Sequence, residues 1–335
     1  MPMTKRSTDR LRKHFVFVLL PEFTLLSFAG ALDALRLANR QIGFEAYSWS
    51  LIGPGGDTAT CSAGSTISLD ADLGDLQRDD TVVLCGGTNI SKNTSDRLIS
   101  WIRKEARRGV TLVGLCTAAY VLAKAGFLDD RRATIHWENH DGFLEAFPDV
   151  NLTKSIYVID GKYITTAGGT ASVDLMLALI ARDHGADVAN AVADQQIYSS
   201  IRTDRDTQRL STPTRIGVRH PKLATVIQRM EANIEEPIRP SALAAEVGLS
   251  TRQLERLFRR YMNLSPKRYY MELRLSRARN LLMQTDMNVI NVALACGFTS
   301  PSHFSKCYRA QYGTTPYRER GSRGADREEE SDLEV

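Results

Sequence analysis

The feature that most narrows what this chain can fold into is a near-repeat in its last third, between Ser241 and Pro316. Ala244 and Gly248 are answered by Ala293 and Gly297, each 49 residues on. Leu254, Leu257, Phe258 and Pro266 are answered by Phe304, Cys307, Tyr308 and Pro316 at an offset of 50, as if one residue had been inserted in the second turn. Each copy reads as a short apolar helix, a glycine turn and a second helix. Ser250 with Gln253 three residues later has the pattern of a capping box, and Ser300-Pro301 places a cap before proline at the first helical position. Leu254, Leu257, Phe258 and Tyr261 recur at helical spacing and are expected to face the core. Arg252, Glu255, Arg256 and Arg259 are left outward. Such a pair is expected to be two helix-turn-helix units, in which the first helix braces the second for entry into a DNA major groove. Two ordinary helical hairpins are the alternative. Matching turns, caps and cationic faces in both copies weigh against them.

The charge distribution agrees. Residues 1–218 carry a net −1, residues 219–320 a net +9 and residues 321–335 a net −4. The positive charge sits on the repeat, where neutralising phosphates supplies much of the affinity for DNA. Outward position selects Arg252, Glu255 and Arg256 in the first unit, and Ser302, Ser305 and Lys306 in the second, as base readers. Arginine can pair two-pronged with guanine and glutamate can accept from cytosine. Arg259, Arg260, Lys267, Arg268 and Arg309 suit phosphate contacts, which position without specifying, and Arg274, Arg277 and Arg279 are further candidates. A helix from Pro266 to about Gln284 joins the units. At 1.5 Å per residue it spans roughly 27 Å, compatible with recognition helices on adjacent major-groove faces about 34 Å apart.

The segments Ala244–Gly248, Leu254–Phe258 and GFTSPSHFSKCYRAQYGTTP from Gly297 to Pro316 resemble the AraC-type DNA-binding domain. That resemblance covers roughly a hundred residues, and in such domains the base-reading positions named above carry base contacts.

Upstream, short apolar runs alternate with amphipathic segments. Strands are expected at Phe15–Leu20, Tyr47–Ile52, Thr81–Cys85, Val110–Leu115, Thr134–His136 and Tyr163–Thr166. Helices are expected at Leu25–Asn39, Asp96–Arg108, Thr117–Ala125, Ala171–His184 and Asp187–Ile201. This order predicts an open, mostly parallel α/β sheet with helices on both faces, whose ligands bind beyond the carboxyl ends of the strands. Cys85-Gly86-Gly87, Leu115-Cys116-Thr117 and His136-Trp137 converge there. Cys116 lies between a β-branched strand and an alanine-rich helix, the setting of a nucleophile elbow. A helix N-terminus there favours a thiolate, and the amides after Gly86 and at Thr117 are expected to form an anion pocket.

Strand-Gly-Gly, then GLCTAAYVLAKAGFLDDRRATIHW from Gly114 to Trp137, then TTAGGTASVDLMLAL from Thr165 to Leu179, resemble the PfpI-like branch of the class I glutamine amidotransferase (flavodoxin-like) fold. Joined to an AraC-type domain, this resembles the GlxA group of transcriptional regulators. The resemblance implies sensing of a small nitrogenous metabolite such as arginine, betaine or carnitine, with activation as the sign of regulation. In enzymes of the superfamily a carboxylate near the first helix contacts the cysteine, yet Phe23–Leu35 places Ser27 at that position. His136 has only Glu138 or Asp174 as partner acids in prospect. A thiol without an orienting acid or base is a poor catalyst. The pocket is therefore expected to bind an effector through Cys116, Thr117, His136, Trp137 and Gly87, with Glu22 and Phe23 at its rim. Trp137 offers a cation–π contact of about 0.5–2 kcal/mol, or plain packing on the sheet. The alternative is a bifunctional protein, a cysteine hydrolase or amidase fused to a DNA-binding module.

The division expected is an effector-binding domain over 1–202, a linker over 203–220, a DNA-binding domain over 221–320 and an acidic disordered tail over 321–335. Residues 1–13 are expected to be mobile. No apolar run reaches the 18 or so residues of a membrane helix. Five cysteines without CxxC spacing indicate neither a disulfide framework nor a metal site. A cytoplasmic homodimer is expected, with double-stranded DNA and a small-molecule effector as partners, RNA polymerase as a further candidate, and no cofactor.

Overall fold

The structure, a computed structural model, describes residues 12–208 and 220–321. Residues 1–11 of the stretch expected to be mobile, most of the expected linker and residues 322–335 of the acidic tail lie outside the described residues, whereas Lys13 opens the first strand and pairs with Asp183 at 2.7 Å. The chain divides into two compact units, Met1–Gln208 and Arg209–Val335.

The first unit is built on a seven-stranded sheet. Its strands are β1 (Lys13–Leu19), β2 (Tyr47–Gly53), β5 (Ala71–Asp72), β6 (Thr81–Cys85), β7 (Thr111–Leu115), β10 (Tyr157–Asp160) and β11 (Tyr163–Thr166), in the spatial order β10-β11-β7-β6-β1-β2-β5. Every pairing is parallel except β10–β11. Alternation along each strand divides the core in two. Phe15, Phe17, Leu19, Val83 and Val113 join one cluster with α1 (Leu25–Ile42), α5 (Ala171–His184) and α6 (Ala186–Gln195). Val16, Val18, Val82, Leu84 and Leu112 join the other, with α2 (Asp96–Arg108) and α3 (Ala119–Lys124). Both faces are covered, so the central strands read as unbroken apolar runs.

The short strands β5 and β10 were not expected from the sequence, and other features differ as well. Thr134–His136 is not a strand. Regular pairing stops at β8 (Arg132–Ala133), which pairs with β9 (Asn151–Leu152), and His136 instead caps a 3-10 turn, Trp137–Asn139, followed by α4 (His140–Ala146). The helix expected over Asp187–Ile201 ends at Gln195, and Ile197 just beyond it has a left-handed backbone (φ 54°). A two-stranded hairpin, β3 (Thr58–Thr60) with β4 (Thr66–Ser68), was not evident from the apolar pattern. Residues 203–208, expected to begin the linker, are hydrogen-bonded to the first unit. The Ile156 amide donates to the Asp206 carbonyl at 3.0 Å and the Gln208 amide to the Lys154 carbonyl at 3.1 Å.

The second unit is helical, as the repeat required. A leading helix, Pro221–Ala232, precedes the first bracing helix Pro240–Glu246 and the first recognition helix Thr251–Met262. The connecting helix Pro266–Gln284 leads to the second bracing helix Val289–Ala295 and the second recognition helix Pro301–Tyr312. The capping box at Ser250 and Gln253 is formed in both directions. Leu254 and Phe258 are fully buried, but Tyr261 is 36% exposed. Leu257 is half-buried, and Tyr261 at the edge of the buried face comes round to solvent beside Arg260, whose guanidinium lies 5.6 Å from its ring centre.

The two turn glycines give a built-in comparison. Gly248 (φ 63°) has only the flexible end of Lys222 near its missing side chain, at 3.8 Å, whereas a β-carbon on Gly297 (φ 72°) would lie 2.6 Å from the Ile234 carbonyl and 2.7 Å from that of Glu235. Gly248→Ala is expected to cost about 1–2 kcal/mol from its left-handed backbone alone. Gly297→Ala, with a backbone clash added, is expected to cost more, as read from the two urea-unfolding midpoints.

Candidate functional site

β7 delivers Cys116 to a tight turn before α3. The cysteine has φ 60°, a left-handed conformation that is uncommon for a residue with a side chain and is kept at functional turns. It is 6% exposed. Two segments wall it in. The first is the loop after β11, where a β-carbon on Gly168 (φ 79°) would come within 2.8 Å of the Cys116 sulfur. That loop is fixed from behind by Ser27, whose Oγ accepts the Gly169 amide at 2.7 Å. The second is the stretch before α4, where the His136 amide donates to the Cys116 carbonyl at 3.3 Å.

The chemistry at the sulfur is that of a protonated thiol. Burial pushes the Cys116 thiol up from its ordinary value, and Glu138 adds to this; hydrogen bonds from the Thr24 hydroxyl, at 3.4 Å, and the Thr117 amide only partly oppose it. The His136 ring is lowered below its ordinary 6.5 by burial, against the opposing pull of Glu138, and is neutral at pH 7. Its Nδ1 accepts the Glu138 amide at 3.4 Å and lies 3.8 Å from the Glu138 carboxylate. Asp174, the other acid considered for His136, is committed elsewhere. It is fully buried and bonded to Arg202 and Tyr198. Ser27, expected where the superfamily enzymes carry the acid that meets the cysteine, serves the loop backbone instead; the side chain that meets the Cys116 sulfur is Thr24.

The remaining expected pocket residues divide sharply. Trp137 is 39% exposed, with its ring centre 5.7 Å from that of His136, so these two sit together at the elbow. Thr117 is buried and donates its hydroxyl to the Gly87 carbonyl at 2.7 Å, which ties the β6 and β7 ends together. Phe23 is fully buried with its ring edge-on to Phe28 at 5.6 Å. It is a core residue and offers no surface to a ligand. Glu22 turns away from the sulfur, accepting Asn89 at 2.9 Å and Asn93 at 3.1 Å on Oε2. Of the amides expected to form an anion pocket, that of Thr117 faces the Cys116 sulfur and that of Thr88 goes to the Glu22 carbonyl. A cavity of about 380 Å³ lies elsewhere, under the 70–80 segment and lined by His14, Asp70, Asp72, Asp75 and Asp80. Its carboxylates are satisfied by the Leu51 amide, Arg97, Lys104 with Arg108, and the Gln77 amide, which marks it as structural.

In the second unit, Arg252, Glu255 and Arg256 are exposed along the first recognition helix, and Ser302 and Lys306 along the second with Ser305 half-buried. Arg259, Arg260, Lys267 and Arg309 are also exposed. Arg268 pairs with Glu272 at 3.0 Å and stays largely exposed. Arg274 is not a surface cation of the expected kind, whereas Arg279 is exposed. Arg274 donates to the Cys296 and Gly297 carbonyls, both at 2.7 Å, and covers the Phe298 ring at 4.1 Å. Arg279 pairs with Glu319 at 2.8 Å.

A DJ-1/PfpI family profile matches residues 13–182, and a helix-turn-helix domain profile matches residues 243–322. The transcriptional regulator CdhR of Pseudomonas aeruginosa is 43% identical over 310 residues, covering 92% of each chain. The regulator GlxA of Rhizobium meliloti is 36% identical over 94% of this chain and 97% of its own. The chain belongs to the GlxA-like transcriptional regulators of the AraC family. A solved THiJ/PfpI family protein from Pseudomonas syringae shares the fold, at 20% identity and a TM-score of 0.51, over 69% of this chain and 93% of its own.

For a GlxA-like regulator, the pattern at the elbow makes sense: the turn of the DJ-1/PfpI fold is kept while its thiol is held neutral. Sequence reasoning missed Thr24, the hydroxyl that faces the sulfur, and Gly168, the wall against it. Thr24 lies 92 positions from Cys116, beyond any local spacing rule. The adjacent Gly168-Gly169 pair was the one visible signal. Because the thiol is raised, the thiolate fraction of Cys116 at pH 7 is below that of a free cysteine. Alkylation of Cys116 by iodoacetamide is expected to be slower than that of the half-buried Cys307 at pH 7, and to accelerate as pH rises past the ordinary thiol range, as read by peptide mass mapping.

Proposed function

We propose that the elbow of the DJ-1/PfpI unit is an effector pocket for a small nitrogenous metabolite, an amino acid, amine or betaine, and that its occupancy controls DNA binding by the helix-turn-helix unit. The observation that carries this reading is the Cys116 turn itself. It is strained, walled by two loops and flanked by the exposed Trp137, yet its sulfur faces a threonine hydroxyl instead of a base. Such a site holds a ligand without activating a nucleophile. Trp137 supplies an aromatic face suited to a cationic nitrogen. Among the described residues no helix is long and apolar enough to cross a membrane. The reading places the regulator in the cytoplasm as a homodimer that activates transcription and contacts RNA polymerase. Resemblance to regulators of this family supports these last points.

In the second unit, Arg252, Glu255, Arg256, Ser302, Ser305 and Lys306 read bases, and Arg259, Arg260, Lys267, Arg268 and Arg309 hold phosphates. Effector binding shifts the balance between arrangements that engage DNA and those that do not.

A thermal-shift screen with arginine, betaine and carnitine tests the pocket. A ligand at a hundred times its Kd stabilises its unit by about 2.7 kcal/mol, a rise of roughly 5–10 °C for a unit of this size. Cys116→Ser is expected to keep that rise. Amide or ester hydrolysis by the wild-type chain, lost in Cys116→Ser, would instead make the protein a cysteine hydrolase fused to a DNA-binding module. Arg252→Ala is expected to lose about 1–3 kcal/mol of binding, with relaxed preference at one base pair. An equal loss on every duplex would move Arg252 to the phosphate-contacting set.

A further inference from the structure

The chain leaves the first unit through residues 202–208, and this short segment is fastened to both walls of the Cys116 elbow. At its start, Arg202 straps the glycine loop. Its guanidinium donates to the Thr170 hydroxyl at 2.7 Å and to buried Asp174 at 2.6 and 3.0 Å, and its amide reaches Asp174 at 2.8 Å. Thr170 directly follows Gly168-Gly169, the wall against the sulfur. At its end, Gln208 straps the other wall. Its Nε2 donates to the Thr134 hydroxyl and the Ile135 carbonyl, both at 2.8 Å, one residue before the His136 amide that holds the Cys116 carbonyl. Between the two fastenings, Asp206 folds the segment into a turn by accepting the amide and hydroxyl of Thr203 at 2.7 and 3.0 Å.

The fastening at Gln208 is also poised. Its amide nitrogen is fully used, but its buried Oε1 has no partner among the described residues. An orphaned acceptor favours release as soon as its wall shifts. Beyond Gln208 the chain runs on through residues 209–219 to the helix-turn-helix unit.

We propose that residues 202–208 are a strap that senses the positions of the two elbow walls and passes a change in either to the DNA-binding unit through the chain itself. Displacing the glycine loop withdraws Thr170 from Arg202, and displacing the 134–136 segment withdraws Ile135 from Gln208. Either event loosens the last anchored residues before the second unit. The proposal rests on the elbow being the effector pocket, but the walls can be moved without an effector. Ser27→Ala removes the hydroxyl that fixes Gly169, and Gly168→Ala adds a methyl against Cys116.

The test is hydrogen–deuterium exchange on the full chain, paired with affinity for a duplex selected by the wild-type protein from a random library. Both wall variants are expected to raise exchange at least tenfold at the amides of Arg202, Ile156 and Gln208. A strap-release variant, Thr170→Val with Gln208→Ala, is expected to change duplex affinity at least fivefold, and adding Ser27→Ala to it is expected to change nothing further. If Gly168→Ala does not fold, Ser27→Ala carries the test. Faster exchange confined to residues 116–118 and 168–170 would overturn the proposal, as would wild-type duplex affinity in the strap-release variant. Coupling that persists in a chain with no thermal response to arginine, betaine or carnitine would support the strap and remove the effector reading. A ligand that raises the melting temperature but leaves strap exchange and duplex affinity unchanged would do the reverse.

Discussion

The first unit depends on a close approach that only a residue without a side chain permits. Cys116 turns through a left-handed backbone at the end of β7, and Gly168 lies against its sulfur and β-carbon. A β-carbon at 168 would push the loop off the elbow, and with it Gly169, Thr170 and the first turn of α5. The two halves of the core meet at this point, since β7 sends Val113 and Leu115 to one face and Leu112 to the other. The sheet positions the turn and the glycine lets the loop close over it. The thiol beneath is then too dry to ionise readily, because desolvation outweighs the two hydrogen bonds that favour its charge.

That balance separates the inherited shape of the site from its chemistry. A helix N-terminus ordinarily favours a thiolate, and the sequence-based expectation gave that effect weight. Burial wins here, and the side chain facing the sulfur is the Thr24 hydroxyl, which cannot take up a proton as a carboxylate would. A shared fold brings the elbow, and does not by itself carry a reaction. The DJ-1/PfpI unit and the helix-turn-helix unit are instead joined in a chain whose relatives are regulators along nearly their whole length.

How much of this was legible in the sequence follows from the range of the interactions. β1, β6 and α2 were readable because their apolar residues are spaced by local geometry, and the helix-turn-helix pair because its signals repeat. The β3–β4 hairpin was not, since only Ala59 of its six residues is well buried and its pairing leaves no apolar stripe. The segment 134–136 has strand-like residues but spends its hydrogen bonds on Thr165, Ser155 and Cys116, so composition misled. Tyr261 was misjudged because period alone does not give the width of a buried face. At the site, Cys116 could be placed by its position at the end of a strand, while His136 and Trp137 were assigned through a strand that does not form. Thr24, Gly168 and the Arg202–Asp174 pair could not, because each acts on a partner far away in sequence.

The DNA-binding unit holds two separate cores. Leu223, Ile227, Leu243, Leu254, Phe258 and Tyr270 form one, and Leu275, Leu282, Val292, Phe298, Phe304 and Tyr308 form the other. The connecting helix belongs to both, giving Tyr270 to the first and its later turns to the second. Because neither core borrows from the other's recognition helix, substitutions in one reader do not force compensating repairs in its twin. A unit built this way can let the outer face of one recognition helix drift while its twin stays as it was, so change can accumulate one half at a time.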